Sequence, residues 1–410
     1  MSFDAIARLL LPAEGGGTVL RADEWWRAPD RLEDECAAVW GREPSYTRGG
    51  ARVLAAGLAR ERSLLALRRR TSGRLGPAAV HRWPPPFYLP RRLPRLVRWA
   101  RAGMVVELAP RERPLRLLDA AAAAAGATGP VPSFHLGSGG AAITRLGRRG
   151  RPELILRVAL AGSAADPLHG VKGLEQVAPL RLDCVPSPYG SGRVGKATWT
   201  LESKLPGRSP AGLGRELTPA VARFCAALPR PDGPPTALAE DLHTLATRLP
   251  RFADDLGALR ERTKPIVHAL PASMRHGDLW AGNVLAKDGR LTGVLDWDAW
   301  HPAGVPGADL LHYVAAGIAL SSSLSLAELL LERPWRARPF REVAPLLWQA
   351  LGIDADEQVL QVVGVAWWAG QMAQDLLRNP VNADDEDWVA RNVEPLMGAP
   401  GLEWLERGGR

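Results

Sequence analysis

Cysteine is scarce in this 410-residue chain: Cys36, Cys184 and Cys225 are the only three, and they lie far apart. That number and spacing exclude a disulfide framework and a paired-cysteine metal site, so a reducing cytoplasm is the expected compartment. Long apolar runs are missing as well. The N-terminus, Met-Ser-Phe-Asp-Ala-Ile-Ala-Arg, has neither the basic start nor the apolar stretch of a secretion signal. The uncharged run from Tyr313 to Ala327 is too short to cross a bilayer and holds four serines. Lysine is nearly absent, and arginine supplies most of the 52 basic residues that set a net charge of +8 against 44 acidic ones. Such a balance suits an anionic partner. No aromatic-interleaved basic motif or zinc-finger spacing accompanies it, so neither nucleic acid nor membrane is expected as a partner.

At 46% hydrophobic and 23% charged residues, the chain has the composition of ordinary globular protein, and its length calls for two or three units. Residues 1–125 form a region to which the sequence assigns no role. It holds helix-like stretches at Ala51 to Arg70 and Leu115 to Ala125, and a Pro-rich segment from Trp83 to Pro90. The arginines that follow (Arg91, Arg92, Arg95, Arg98, Arg101) read as the solvated face of a short helix. Gly126 to Pro132 reads as a linker. Residues 126–206 read as short strands with one helix from Pro167 to Leu180 among them. Strands are predicted around Ser133 to Ile143 with a glycine turn inside, at Glu153 to Leu160, and at Thr198 to Glu202. From residue 207 to 410 the apolar spacing is helical, at Leu217 to Leu228, Ala237 to Arg248, Ala308 to Leu331 and Asp356 to Arg378.

One stretch carries the chemistry. His276-Gly277-Asp278-Leu279-Trp280-Ala281-Gly282-Asn283 is followed by Leu295-Asp296-Trp297-Asp298. Asp278 is placed to take a proton from an attacking hydroxyl, and Asn283 and Asp296 are oxygen donors suited to Mg²⁺. Between them, Asp288-Gly289 is a strong two-residue hairpin signal. A turn there pairs Leu285 with Thr292 and Asn283 with Val294, and sets Asp296 diagonally across from Asn283, within roughly 7–8 Å.

The His-Gly-Asp, four residues, Asn pattern with its downstream Asp resembles the catalytic loop and metal motif of the aminoglycoside phosphotransferase and choline kinase superfamily. The related protein kinases use His-Arg-Asp and Asp-Phe-Gly at these places. The resemblance covers roughly the last 280 residues. It implies an α+β, bilobal protein-kinase-like fold, with a small β-rich N-lobe and a larger helical C-lobe, preceded here by the extra N-terminal region. It also implies an ATP- or GTP-dependent, Mg²⁺-dependent phosphotransferase with a small hydroxylated acceptor: a sugar, aminosugar, aminoglycoside or amino alcohol.

Such a lobe needs backbone amides near the triphosphate, a cation on the phosphates and a carboxylate to fix that cation. Gly137, Ser138, Gly139 and Gly140 can supply the amides. Arg157, between Leu156 and Val158, is the cation, where many relatives carry lysine. Arginine keeps the charge but offers a planar fork. Glu175 on the following helix is its expected partner. Glu202 to Leu205 is the expected connection between lobes, where backbone groups hold the base. His276 is expected to order the loop, Asp298 to be a supporting acid or a substrate contact, and Asp309 to anchor the loop from the next helix. Acidic residues at Asp354, Asp356, Glu357 and Asp384 to Asp387 are available to a cationic acceptor. Trp280 is similar to the loop of the fructosamine kinases, although their metal motif reads Asp-Pro. A nucleotide-binding pseudokinase or accessory module is the other alternative.

Overall fold

The computed structural model describes residues 117–127, 141–148, 151–160, 166–210, 212–320, 322 and 324–397, together with strand segments at 17–21, 51–57, 62–68, 104–108 and 135–136. The Pro-rich segment, the arginine cluster and the Gly137 to Gly140 turn lie outside them. The chain divides into two compact units, one of Met1–Leu168 with Pro188–Lys204, the other of His169–Ser187 with Leu205–Arg410.

In the first unit, β1 (Gly17–Arg21), β2 (Ala51–Gly57), β3 (Arg62–Arg68) and β4 (Met104–Leu108) form a sheet in the order β1-β4-β3-β2. The helix expected from Ala51 to Arg70 is therefore wrong: Ala51 pairs with Arg68 and Gly57 with Arg62 in an antiparallel hairpin. Ala, Leu and Arg are good helix formers, but propensity is a small energy that tertiary pairing overrides, and Gly57 interrupts the candidate.

A second sheet follows, from β5 (His135–Leu136), β6 (Ala142–Arg148), β7 (Arg151–Leu160), β8 (Pro188–Val194) and β9 (Ala197–Ser203), in the order β5-β6-β7-β9-β8 with every pair antiparallel. Along β7, Leu154, Leu156 and Val158 are buried on one face at the two-residue period of a strand. The helix α1 (Leu117–Ala124) packs on β7, β8 and β9 and buries Ala121 and Ala122 completely. Strand β8 escapes a reading of the sequence because Pro188-Tyr-Gly-Ser-Gly looks like a turn. Its glycines have a packing cause: a Cβ on Gly192 would lie 2.9 Å from the Trp199 indole on the neighbouring strand.

The helical unit takes in most of α2 (Pro167–Val177) and continues through α3 (Thr218–Ala227), α4 (Ala237–Arg248), α5 (Ala253–Ala269), α6 (Ala308–Ala319), α7 (Leu326–Leu331), α8 (Arg338–Leu351), α9 (Glu357–Arg378) and α10 (Glu386–Asn392). Short pairs β10 (Ser273–Arg275) with β13 (His301–Gly304), and β11 (Val284–Lys287) with β12 (Arg290–Val294), lie among them. The run expected as one helix from Ala308 to Leu331 is two. Serines favour caps over helix interiors, and Ser325 starts α7 with a capping box to Glu328. Helix α5 was concealed by Pro265 inside it.

Among the described residues, Trp297, Trp335, Trp367, Trp368, Tyr313 and Phe340 are the largest fully buried side chains. Small residues on α9 admit large neighbours: Gly364 sits under Trp335, and Gly370 under the guanidinium of Arg275. Arg275 binds both carboxylate oxygens of Asp241, Nη2 at 3.3 Å from Oδ1, with both side chains nearly buried. Asp241→Ala leaves that guanidinium buried without its counter-charge, and a loss of about 3–5 kcal/mol is expected in urea unfolding. No helix among the described residues is long and apolar enough to cross a membrane.

Candidate active site

Strand β10 delivers the chain into a loop that is held from several sides. Gly277 has φ +86, and a Cβ there would stand 2.1 Å from the carbonyl oxygen of Ala299. Only glycine fits, on both conformational and steric grounds. Asp309, in the first turn of α6, accepts the backbone N–H groups of His276 (2.6 Å) and Gly277 (2.8 Å) on its two oxygens. The Gly277 carbonyl in turn accepts from Gln371 (2.7 Å) and Gln374 (2.9 Å) on α9. The N–H groups of His276 and Gly277 and the Gly277 carbonyl therefore all have partners, as burial demands. Asp309→Ala removes the acceptor from two buried donors, and a loss of about 2–5 kcal/mol is expected in thermal or urea unfolding.

His276 is wholly buried. Its Nδ1 accepts the N–H of Asp278 at 3.3 Å, so the proton of the neutral ring is on Nε2, which meets the Leu295 carbonyl at 3.0 Å. Trp297 closes edge-on against the ring at 4.7 Å. Burial pushes the His276 pKa below its usual value against the pull of Asp309, Asp278 and Asp296. The ring ties the loop to the end of the hairpin and has no free nitrogen to carry protons.

Asp278 is largely buried, with His312 Nε2 3.5 Å from Oδ1 and an Arg378 Nη 3.4 Å from Oδ2. Burial alone would raise its pKa; His312, Arg378 and His276 outweigh that and hold it at about 2. A depressed folded-state pKa contributes stability above the unfolded value near 3.8, and this is lost as pH falls through about 2. The wild type is therefore expected to lose about 2 kcal/mol relative to Asp278→Asn between pH 6 and pH 2, read by urea unfolding at each pH.

Asn283 ends a 3₁₀ turn, and its Nδ2 donates to the Asp278 carbonyl at 2.8 Å. That bond fixes which way the amide faces and turns Oδ1 away as an acceptor. The hairpin follows with Asp288 (φ 51) and Gly289 (φ 71) both left-handed, the type I′ turn expected of Asp-Gly. The expected pairing of Leu285 with Thr292 and Asn283 with Val294 is corrected, however. Ala286 pairs with Leu291, then Leu285 with Gly293 and Val284 with Val294, so Thr292 bulges from the ladder. The Thr292 hydroxyl leaves the ladder to donate to the Pro206 carbonyl at 2.6 Å, and a Cβ on Gly293 would strike Leu285. The shift puts Asn283 opposite Leu295, whose N–H it accepts at 2.8 Å, next to Asp296. Asp296 has φ 65, a left-handed conformation that costs about 1–2 kcal/mol outside glycine. Such strain at a carboxylate beside the loop is the kind stored at functional sites.

The segment after Leu205 forms a further edge to this hairpin that the sequence did not reveal. Arg208 and Ala286 exchange backbone bonds at 3.0 and 2.9 Å, and Ser209 Oγ donates to the Gly282 carbonyl at 3.1 Å. Gly282 lies under Trp280, whose ring would be 2.4 Å from a Cβ there. On the other side, α2 packs on the loop that carries Asp296. Trp300 Nε1 donates to the His169 carbonyl at 2.8 Å, and His169 Nε2 lies 3.1 Å from the Trp300 carbonyl with the rings stacked. A Cβ on Gly170 would meet Asp298 Oδ1 at 2.6 Å, which places Asp298 against α2.

Arg157 is buried at the centre of β7, opposite Ile143 on β6 and Thr200 on β9, and Glu202 is buried on β9. Glu175 is exposed on α2. Lys204, which pairs with Glu153, ends the first unit, and Leu205 begins the helical one.

The loop and the hairpin meet the chemistry of a Mg²⁺ site. Asn283 and Asp296 offer hard oxygens, and no cluster of three or more His, Cys, Asp or Glu side chains that could hold a metal alone occurs among the described residues. Mg²⁺ commonly takes one or two protein oxygens and completes its shell from phosphates and water.

No curated protein matches the chain. Among solved structures, a putative aminoglycoside phosphotransferase from Ralstonia eutropha JMP134 is similar at 14% identity, over 70% of this chain and 95% of that one, with a TM-score of 0.46. Aminoglycoside-3'-phosphotransferase of type VIII is similar at 21% identity, over 60% and 97%, with a TM-score of 0.43. Aminoglycoside phosphotransferase APH(3'')-Id from Streptomyces rimosus ATCC10970, in complex with ADP and streptomycin, is similar at 18% identity, over 59% and 94%, with a TM-score of 0.38. The model of the phosphotransferase enzyme family, APH, matches residues 142–324. That segment, which contains the loop and the hairpin, is similar to the phosphotransferase enzyme family.

Proposed function

We propose that this chain transfers the γ-phosphoryl group of ATP or GTP to a hydroxyl of a small molecule. The observation that carries the reading is the pair Asp278 and Asn283. The carboxylate has His312 3.5 Å from one oxygen and Arg378 3.4 Å from the other. The Asn283 amide donates back to the Asp278 carbonyl, while its backbone carbonyl accepts the N–H of Leu295, the residue before Asp296. In this reading Asp278 receives and orients the acceptor hydroxyl and takes its proton as the new P–O bond forms. Asn283 and Asp296 hold Mg²⁺, which when bound neutralises charge that develops on the transferred group. Transfer of this kind passes through a loose transition state, so the rigid holding of Asp278 matters more than its basicity.

Residues 126–206 are assigned to the phosphates, through the amides of Gly137 to Gly140 and the charge of Arg157. Glu202 to Leu205 lies at the base. Residues 207–410 are assigned to catalysis and the acceptor, and residues 1–125 carry no assigned step. Acceptors in the sugar, aminosugar, aminoglycoside or amino alcohol range suit the family.

The test is ADP or GDP formation by the full chain with Mg²⁺ across a panel of hydroxylated compounds, beside thermal shift with each nucleotide. Acceptor-dependent, Mg²⁺-dependent product supports the reading. Stabilisation by Mg-nucleotide without turnover on any acceptor points instead to a nucleotide-binding pseudokinase.

A further inference from the structure

The two oxygens of Asp278 face partners of opposite character. Behind Oδ1 stands His312, three residues after Asp309 on α6 and buried. Trp367 on α9 donates its indole N–H to His312 Nδ1 at 3.0 Å. An indole nitrogen only donates, so His312 Nδ1 is an acceptor and the proton of the neutral ring sits on Nε2, the atom 3.5 Å from Asp278. The indole thus selects the tautomer that presents a donor to the carboxylate. Beside Oδ2 stands Arg378, from the last turn of α9, with 31% of its side chain exposed. A guanidinium has five N–H donors in a planar fork, and a single contact with Asp278 leaves others to face an arriving molecule.

Of the carboxylates that the sequence offered for a cationic acceptor, three are engaged in the fold, while Asp354 and Asp384 are exposed. Asp356 caps α9 through the Val359 N–H, and Glu357 pairs with Arg333 and Arg336. Asp385 caps α10 through the Trp388 N–H, while Glu386 and Asp387 occupy its first turn, where the helix dipole favours negative charge. Asp375, one turn before Arg378, accepts from Asn379, Asn382 and Trp388. Arg378 is the cation in contact with Asp278.

We propose that His312 and Arg378 act on Asp278 for different ends. His312, set by Trp367, is a positioning residue that fixes the carboxylate. Arg378 meets the acceptor and selects one that carries an anionic oxygen group, carboxylate or phosphate, near its reactive hydroxyl. A polycationic acceptor would have to bring its ammonium groups against Arg378. This rests on the phosphotransfer reading above.

The experiment measures ADP formation by the full chain at saturating Mg-ATP with gluconate, a hexose monophosphate, glucose, choline and kanamycin. The expected order of kcat/KM puts the two anions first, and whichever leads separates a carboxylate from a phosphate source. Arg378→Gln is expected to raise KM for the better anion at least tenfold more than KM for glucose, without change in KM for ATP. His312→Ala is expected to lower kcat about a hundredfold on every acceptor with both KM values retained, and His312→Gln, which restores an N–H donor, to recover at least a tenth of the wild-type rate. Melting temperature and the Mg-ATP thermal shift, unchanged in the Gln variants, keep folding out of the result.

Choline or kanamycin as the best acceptor overturns the role of Arg378, as does an equal loss of kcat on all acceptors in Arg378→Gln with KM unmoved. Wild-type kcat in His312→Ala overturns the role of His312. A wild type that neither binds Mg-ATP nor forms ADP overturns the phosphotransfer reading itself and this one with it.

Discussion

Asp278→Asn is expected to lower turnover by about 10²–10⁴-fold while the Mg-ATP thermal shift stays in place. The range is that of a positioned group acting on a proton in the transition state. The substitution preserves shape and the N–H bond to His276, so the loop should stay closed. What changes is charge. The neutral amide presents Arg378 with no counter-ion and cannot receive the acceptor proton. Because the carboxyl pKa is held at about 2, Asp278 stays ionised through the whole working range, and no acid limb of the wild-type pH–rate profile above pH 4 should belong to it. A steady-state rate within tenfold of wild type would remove Asp278 from the mechanism.

Gly277→Ala is expected to be the most damaging small substitution in the helical unit. The added methyl meets the Ala299 carbonyl oxygen at 2.1 Å, and the φ of +86 is closed to alanine. Both are backbone obstacles, so no side chain can turn aside to relieve them. About 1–2 kcal/mol from the left-handed conformation and about 1–3 from overpacking give a loss of about 2–5 kcal/mol. Relief by movement of the loop would withdraw the donors that reach Asp309 and the carbonyl held by Gln371 and Gln374. Turnover should therefore fall with stability. Urea unfolding and kcat measured together check this, and a stable variant with full kcat would contradict the geometry.

Much of the site was legible because its chemistry is local in sequence. His276 to Asn283 and Leu295 to Asp298 flank one hairpin, and Asp288-Gly289 announces its turn through the left-handed backbone both residues adopt. The bulge at Thr292 was not legible, since it answers to Pro206 across 86 residues. Nor were the partners of the loop on α6 and α9. A signal for the latter does exist: Gln371, Gln374 and Arg378 recur at helical spacing on one face of a largely apolar helix. The failures elsewhere have one kind of cause. Glycine and proline in β8, and proline in α5, read as breakers until the neighbouring side chains that require or tolerate them are known. The hairpin of β2 and β3 shows the converse, residues of good helix propensity claimed by pairing partners.

The way the loop is tied down also sets when it can form. Its anchors reach 32 and 33 residues to Asp309, 94 and 97 to the glutamines of α9, and 100 to Arg378. Closing such distances costs chain entropy before any bond compensates it, so non-local contacts of this kind form late. During refolding, helical content should return ahead of the site, and recovery of activity should trail it until α9 has docked. A nick in the Leu320 to Ser325 connection, which lies between the two anchoring helices, would leave the His276 to Asp298 segment covalently whole. It would nonetheless turn the assembly of the site into a meeting of two chains, with a rate that depends on their concentration.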